Sequence, residues 1–90
     1  MTDIEKLACS KTYEQNLIKL TEEIGELLKA LSDCYHNETS ITRNAVVEEM
    51  VDVQICMDII KSLLRIGDDR IAYMRHHKMI RNLQRIGERS

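Results

Sequence analysis

Two short acidic motifs have the clearest capacity for chemistry in this sequence. The first, T-E-E-I-G-E-L, places Glu22, Glu23 and Glu26 within five residues, and the second, V-E-E-M-V-D-V, contains Glu49 and Asp52. Residues three apart lie on the same face of an α-helix, so each motif can direct two carboxylates at one ligand. Twenty-two residues, 27–48, separate the motifs, which lets one helix end and a second return antiparallel. The sequence therefore predicts that the two acidic pairs face each other.

Each motif alone is typical of a solvated acidic helix face. Glu49 and Asp52, however, occupy the angular gap between two apolar stripes of a helix that we expect to be buried, and buried carboxylates are costly unless paired or coordinated. Lys29 and Lys61 are too few and too distant in register to neutralise four acids, which leaves raised pKa values or a bound cation. All-oxygen ligation suits Mg²⁺ or Mn²⁺, and Mg²⁺ commonly completes its shell with water and phosphate oxygens. The pattern predicts metal-assisted phosphate chemistry.

Two long helices are predicted to position these motifs. Apolar residues recur at spacings of three and four from about Tyr13 to Tyr35, which indicates an amphipathic helix. Its stripe consists of Leu17, Leu20, Ile24, Leu27, Leu28 and Leu31. A second helix is predicted from about Arg43 to Arg65, capped near Ser40 or Thr42, and it would be about 35 Å long at 1.5 Å per residue.

The second helix is apolar on more than one side. One stripe consists of Val46, Met50, Val53, Met57, Ile60 and Leu64, and the other of Val47, Val51, Ile55 and Ile59. A helix that is apolar on two faces needs packing partners on both, which three helices in one small chain scarcely supply. The sequence therefore predicts an oligomeric helical bundle.

The remaining segments complete an all-α chain. Thr2 and Glu5 form a capping-box pattern that allows a short N-terminal helix. Gly67 followed by Asp68 and Asp69 indicates a helix end and a new N-cap, and a third main helix then runs through Ile71, Met74, Met79, Ile80 and Leu83. We expect a single domain over residues 1–90, with three main helices.

Composition narrows the class of protein. The 90 residues are 43% hydrophobic and include no Pro, Phe or Trp, which disfavours β architecture and disorder. The three cysteines, Cys9, Cys34 and Cys56, form no C-x-x-C pair, so neither a disulfide framework nor a thiolate metal site is indicated, and a cytoplasmic location is expected. The N-terminus carries acids where a secretory signal would carry bases, and no stretch approaches the roughly 18 apolar residues of a membrane span.

Charge is distributed unevenly along the chain. Residues 1–64 hold 6 Lys/Arg against 12 Asp/Glu, whereas residues 65–90 hold 7 against 3. The basic segment has Tyr73 as its only aromatic residue and carries no nucleic-acid signature, which disfavours nucleic acid as a partner. The positive charge instead favours contact with the acidic part of the protein or with a phosphate-bearing small molecule.

The order and spacing of the acidic motifs resemble the MazG-like all-α NTP pyrophosphatase superfamily. The likeness rests on E-E-x-x-E, twenty-two further residues and E-x-x-D, with Gln15 and Lys19 on the preceding turns and a basic helix following, and it covers roughly residues 13–86. The resemblance implies an Mg²⁺-dependent enzyme, with Mn²⁺ as an alternative metal, that cleaves a nucleoside triphosphate between the α and β phosphates. It also implies a homo-dimer or homo-tetramer of helical bundles.

Carried over by position, the resemblance assigns a role to each candidate residue. It makes Glu23, Glu26, Glu49 and Asp52 metal ligands. Glu22 would be a further ligand or the catalytic base that takes a proton from water. Lys78 and Arg81 would hold the triphosphate, or they would form a solvated basic face. Lys19 would contact phosphate, or it would form an i,i+4 ion pair with Glu23, and the pair is favoured.

Two other functions remain open at the level of sequence. One is a phosphoribosyl-ATP pyrophosphohydrolase-like enzyme, which also uses helical acidic motifs. The other is a non-catalytic helical oligomer whose metal site is structural or degenerate. Pyrophosphate release separates the enzymes from the non-catalytic oligomer.

Overall fold

Four helices make up the chain, and no strand occurs in residues 1–89, which are the residues that the computed structural model describes; for residues 88 and 89 it describes the backbone alone. The helices are α1 (Asp3–Cys9), α2 (Tyr13–His36), α3 (Ser40–Leu64) and α4 (Asp68–Arg89). The predicted all-α class is confirmed. The short N-terminal helix is present as α1, so the described chain has four helices rather than three.

The first three helices each begin at a threonine whose hydroxyl caps the first turn. Thr2 and Thr12 form capping boxes with Glu5 and Gln15, as side chain and backbone exchange hydrogen bonds. Helix α3 begins earlier than predicted, because its N-cap is Thr39 rather than Ser40 or Thr42. The Thr39 hydroxyl accepts a hydrogen bond from the Thr42 backbone N–H over 3.1 Å, and the Thr39 N–H donates to the Thr42 hydroxyl over 2.8 Å.

Helix α3 ends at Leu64, close to its predicted end near Arg65, but the residue in the left-handed conformation is Arg65 and not Gly67, the predicted stop signal. Arg65 has φ 55° and ψ 42°. The Ile66 N–H donates to the Lys61 carbonyl over 2.9 Å, which is the bonding pattern of a Schellman motif and satisfies a terminal carbonyl. A non-glycine residue in this conformation costs roughly 1–2 kcal/mol, which the capping hydrogen bonds offset. Helix α4 then starts at Asp68.

Helices α2 and α3 form an antiparallel hairpin, because residues late in α2 lie beside residues early in α3 and the reverse holds at the other end. The face of α2 toward α3 shares only Leu20 and Leu27 with the predicted leucine stripe. Its buried and half-buried members recur every three or four residues: Asn16, Leu20, Glu23, Leu27, Ala30 and Cys34. At 100° per residue this face is rotated by about 60° from the stripe, so Leu17, Ile24, Leu28 and Leu31 remain exposed.

Helix α1 packs across α3 at the open end of the hairpin. Ala8 is buried there, and Asn16 of α2 fixes the junction, because its Nδ2 donates to the Thr12 carbonyl over 3.1 Å and to the Ala8 carbonyl over 3.5 Å. The chain thus forms one packed unit over α1, α2 and α3, which we call the hairpin body (residues 3–64).

Helix α4 leaves the hairpin body and packs closely against none of its helices. All of its side chains described in the structure are exposed. The molecule is consequently elongated, with extents of 48 × 35 × 20 Å and a radius of gyration of 16.5 Å, against about 12 Å for a compact chain of this length. Among the described residues, none of the helices combines the length and the apolar character needed to cross a lipid bilayer.

Candidate metal centre

Three of the predicted carboxylates converge between α2 and α3. One oxygen each of Glu23, Glu49 and Asp52 lies within 4.8 Å of the other two. Two oxygens that are each about 2.0–2.6 Å from one cation are at most about 5 Å apart, so this spacing suits ligands of a single Mg²⁺ or Ca²⁺ ion. We call these three residues the acidic cluster.

The acidic cluster lies between α2 and α3, and its members range from buried Glu23 through half-buried Glu49 to exposed Asp52. The Glu23 side chain is only 6% exposed, and Glu49 is half-buried. The Oε2 atoms of both glutamates are buried and have no hydrogen-bond partner within residues 1–89. Because burial of an unpaired carboxylate oxygen costs free energy, these two oxygen atoms are suited to binding a cation.

Electrostatics at Glu49 reflect the same crowding of negative charge. Burial raises the pKa of Glu49, and the neighbouring carboxylates of Glu26, Asp52 and Glu23 raise it further. A protonated Glu49 can also donate a hydrogen bond to Glu26, which favours the neutral form. The ionised form of Glu49 is therefore disfavoured, and binding of either a proton or a cation relieves the repulsion among the carboxylates.

Lys19 supplies the one ammonium group paired with this cluster in the described part of the chain. Its Nζ lies 2.7 Å from Glu23 Oε1, one helical turn away, so the favoured i,i+4 pair is present. Hydrogen bonding and the charge of Glu23 raise the pKa of Lys19. One ammonium group cannot balance three carboxylates, so the cluster keeps a net negative charge.

The two other predicted acids of α2 lie outside the three-residue cluster. Glu26 is exposed and flanks Glu49, with which it lines a cavity of about 380 Å³ between α2 and α3. Glu22 is also exposed, and it lines a shallow depression with Lys11, Gln15 and Lys19 on the outer side of α2. The roles predicted for Glu22 and Glu26 stay predictions.

The predicted basic residues of α4 are not brought to the acids within one chain. Lys78 lies in an exposed groove along α4, beside Met74 and Met79, and Arg81 is exposed on the same helix. Because α4 does not pack on the hairpin body, neither side chain shares a cavity with the acidic cluster in the structure of the described residues. Their predicted contact with phosphate stays a prediction.

A second cavity opens directly beside the acidic cluster. Its volume is about 280 Å³, and we call it the α1 cavity because α1 forms one wall. Glu23 and Asp52 line it at the side of the cluster, and Leu7 lines it from α1. The remaining lining residues are Ser10, Lys11, Asn16, Lys19, Ile55, Cys56 and Ile59.

Sequence reasoning missed the structural role of Asn16 and the position of Cys56 at this cavity. Both are buried, and burial raises the pKa of the Cys56 thiol, with the charge of Glu23 contributing further. A signal for Asn16 exists in the sequence: it lies seven residues, two helical turns, before Glu23 and therefore on the same face. The apolar stripe concealed this signal, because it indicated a different face of α2.

Chemically, the site offers oxygen ligands from two helices, a residual negative charge and an adjoining cavity with a partly apolar wall. This combination can hold a divalent cation beside an organic ligand. The chain matches no protein-family model, no curated protein and no solved structure at a significant level.

Proposed function

We propose that the protein is an Mg²⁺-dependent nucleoside triphosphate pyrophosphohydrolase that converts a (d)NTP into the (d)NMP and pyrophosphate. The observation that carries this proposal is the convergence of Glu23, Glu49 and Asp52, with two buried carboxylate oxygens that have no hydrogen-bond partner among residues 1–89. Hard oxygen ligands and unbalanced negative charge select a divalent cation that also binds phosphate. Mn²⁺ satisfies the same ligand set.

Each residue of the site has a proposed task. Glu23, Glu49 and Asp52 would hold the cation, and Lys19 would keep Glu23 oriented through their ion pair. Bound Mg²⁺ supplies Lewis-acid stabilisation of phosphate oxygens and a lowered pKa for a coordinated water. Glu22 and Glu26 are exposed carboxylates of α2 within one helical turn of Glu23, and one of them would accept the proton of the attacking water.

We also propose that the active species is a homo-oligomer, and surface area supports this proposal. The accessible surface of the chain is 7438 Å², whereas a compact monomer of 10.5 kDa exposes about 5,400 Å². The excess of about 2,000 Å² falls within the roughly 1,000–2,500 Å² that each partner of an obligate dimer buries. No large side chain among the described residues is fully buried.

The exposed apolar surface includes side chains from α2, α3 and α4. Leucines of α2, both stripes of α3 and the apolar side of α4 contribute to it. Helices of a second copy would cover these surfaces as in a larger helical bundle, in a dimer or a tetramer. Such packing would also move the basic side of α4, including Lys78 and Arg81, toward acidic surface.

The test is a measurement of pyrophosphate release from the common NTPs and dNTPs in the presence of Mg²⁺. Glu49→Gln and Asp52→Asn are expected to reduce kcat/KM by at least about 100-fold, because each removes a charged ligand of the cation. Glu48→Gln, the neighbouring exposed glutamate, is the matched control and should retain wild-type activity.

Two outcomes would contradict the proposal. Turnover that is unaffected by Glu49→Gln and Asp52→Asn would exclude the acidic cluster as the catalytic site. Stabilisation of the fold by Mg²⁺ without turnover of any nucleotide would favour the non-catalytic metal-binding oligomer, because a ligand that binds only the folded state raises apparent stability.

A further inference from the structure

The α1 cavity has the dimensions of a site for part of a small organic molecule. Its volume of about 280 Å³ lies at the lower end of the range of roughly 300–1,000 Å³ found for ligand pockets. A whole nucleotide with its hydrated triphosphate and cation exceeds this space, whereas a nucleobase with its sugar is a much smaller group. The volume therefore suits the nucleoside part alone.

The wall of the α1 cavity has an apolar part and a polar part, as a nucleoside requires. Leu7, Ile55, Cys56 and Ile59 form an apolar surface contributed by α1 and α3. A planar, uncharged base gains free energy from burial against such a surface, while a triphosphate does not. No aromatic residue lines the cavity, so aliphatic side chains would provide the contact.

The buried amide of Asn16 adds a hydrogen-bonding group to the wall. Its Nδ2 is engaged with the carbonyls of Ala8 and Thr12, which fixes the orientation of the amide. Neither of the Asn16 side-chain hydrogen bonds found in residues 1–89 uses Oδ1. The amide thus offers an acceptor beside the apolar wall, which is suited to an N–H group at the edge of a base.

The cavity and the acidic cluster are continuous, because Glu23 and Asp52 belong to both. The Glu23 side chain is 94% buried, and its Oε2 atom lacks a hydrogen-bond partner in residues 1–89. One end of a molecule that occupies the α1 cavity therefore lies beside the carboxylates of Glu23 and Asp52. A nucleotide satisfies both regions at once, with its nucleoside in the cavity and its phosphates at the cluster.

We propose that the α1 cavity is the nucleoside subsite of the enzyme and that α1, through Leu7, determines how tightly nucleotides bind. This inference rests on the proposed function, because it places the phosphates at the acidic cluster. It adds a substrate-binding role for a helix that contributes no residue to that cluster. It also assigns Cys56 and Leu7 to contacts with the base or sugar rather than to chemistry.

The test compares binding of two ligands by isothermal titration calorimetry in the presence of Mg²⁺. One is a non-hydrolysable α,β-imido deoxynucleoside triphosphate, and the other is inorganic triphosphate, which has the phosphates without a nucleoside. Cys56→Leu fills the cavity from α3, and Leu7→Trp fills it from α1, where the side chain is 46% exposed and the larger ring has room. Cys34→Leu makes the same substitution far along α2 and is the matched control.

Both cavity variants are expected to weaken binding of the nucleotide analogue by about tenfold or more, which corresponds to about 1.4 kcal/mol. Binding of inorganic triphosphate should stay within about twofold of wild type in all variants, which also shows that the acidic cluster is intact. Cys56 is buried, so Cys56→Leu carries a risk of misfolding. Leu7 is about half exposed, so Leu7→Trp should fold and can test the subsite by itself.

Three outcomes would overturn the inference, and they are distinguishable. If the wild type binds both ligands and neither cavity variant weakens the nucleotide analogue, the nucleoside lies elsewhere while the proposed function stands. Equal weakening of both ligands would mean that the cavity variants act through the metal site. If the wild type binds neither ligand, the proposed function fails, and the subsite fails with it.

Discussion

The hairpin body and helix α4 place their apolar residues in opposite ways. In the body, the most buried positions include small or polar residues, namely Ala8, Asn16, Glu23, Ala30 and Cys56. In α4, the apolar residues predicted for packing are all 40–62% exposed: Ile71, Met74, Met79, Ile80 and Leu83. The contacts within one chain therefore build a polar site and a cavity, and they leave most of the large apolar side chains of the described residues exposed.

The hairpin body and helix α4 also differ in charge. The hairpin body carries the acids of the cluster, while Arg70, Arg75, Lys78, Arg81 and Arg85 lie along α4. A helix with one apolar and one basic side fits an acidic surface that also exposes apolar groups, which describes the body of a second copy. Three of the five most buried residues, Asn16, Glu23 and Cys56, therefore line the α1 cavity, whereas the described basic and apolar side chains of α4 line neither cavity beside the acidic cluster.

The largest expected effect comes from placing a charge on the apolar side of α4. Leu83 is 62% exposed in the single chain, so Leu83→Glu should leave each chain helical. In an oligomer the same substitution buries an unpaired carboxylate, which opposes association. We expect light scattering after size exclusion to give the single-chain mass of 10.5 kDa for this variant and a multiple of it for the wild type.

Gln84→Glu adds the same charge at the next position of α4, where it replaces a polar side chain instead of an apolar one, and it should keep the wild-type mass. The proposal of a homo-oligomer would be rejected by a wild-type mass of 10.5 kDa at micromolar concentration. That mass would mean that the apolar side of α4 is exposed to solvent in the native protein.

An intermediate effect is expected from Glu49 in the hairpin body. Its folded-state pKa is raised above the ordinary value of 4.5, so the folded chain retains this proton at higher pH than the unfolded chain. The free energy of unfolding in EDTA should therefore decrease as pH rises from about 4.5 through the raised pKa. Glu49→Gln should remove this part of the decrease and make the metal-free protein more stable than wild type at neutral pH.

Thermal melts followed by circular dichroism between pH 4.5 and 8 measure this difference, with Glu48→Gln as the control. Adding Mg²⁺ should stabilise the wild type most at the high-pH end, where Glu49 is ionised, and should stabilise Glu49→Gln least. If the Tm values of wild type and Glu49→Gln changed in parallel with pH, ionisation of Glu49 would not destabilise the folded state.

The smallest effect is expected where the two regions join. Lys61 of α3 pairs with Asp68, the first residue of α4, and the hydrogen bond lowers the pKa of Asp68 below its ordinary value of 3.8. The pair therefore stabilises the folded chain above pH 3.8, and this contribution is lost as pH falls through the lowered pKa. Because Asp68 is 91% exposed, Asp68→Asn should lower the Tm only slightly at pH 7 and still less in high salt.

Asp69→Asn is the matched control, since Asp69 lies in the same first turn and has no ion pair with Lys61. Equal decreases in Tm for the two variants would assign the effect to the N-terminal turn of α4 rather than to the junction with α3.

Much of the fold followed from local patterns. Thr2 with Glu5 predicted α1, and the three- and four-residue periodicity predicted α2 and most of α3, because these signals act within a few residues. The start of α3 was misplaced, because Thr39 and Thr42 share hydroxyl hydrogen bonds in a pairing that no single residue reveals. The end of α3 was predicted at about Arg65 with Gly67 as the stop signal, whereas the helix ends at Leu64 and Arg65 itself adopts the left-handed conformation, supported by its capping hydrogen bonds.

The candidate site was predicted in part. The i,i+3 spacing of Glu49 and Asp52 indicated that they share a ligand, and both belong to the acidic cluster, but Glu49 is only half-buried and Asp52 is exposed. For α2 the same spacing paired Glu23 with Glu26, yet Glu23 alone joins the three-residue cluster. The rotation of α2 about its axis decides this difference, and that rotation depends on which face packs against α3.

By itself the sequence determined which segments are helical, where most of them begin, and which carboxylates could share a ligand, because capping and periodicity are properties of adjacent residues. The tertiary structure alone decided which oxygens meet, that a cavity lined by Leu7 and Cys56 adjoins them, and that α4 stands apart from the body. These features depend on the rotation and crossing of helices against one another. Such relations are fixed by packing between residues distant in the chain, which no local pattern encodes.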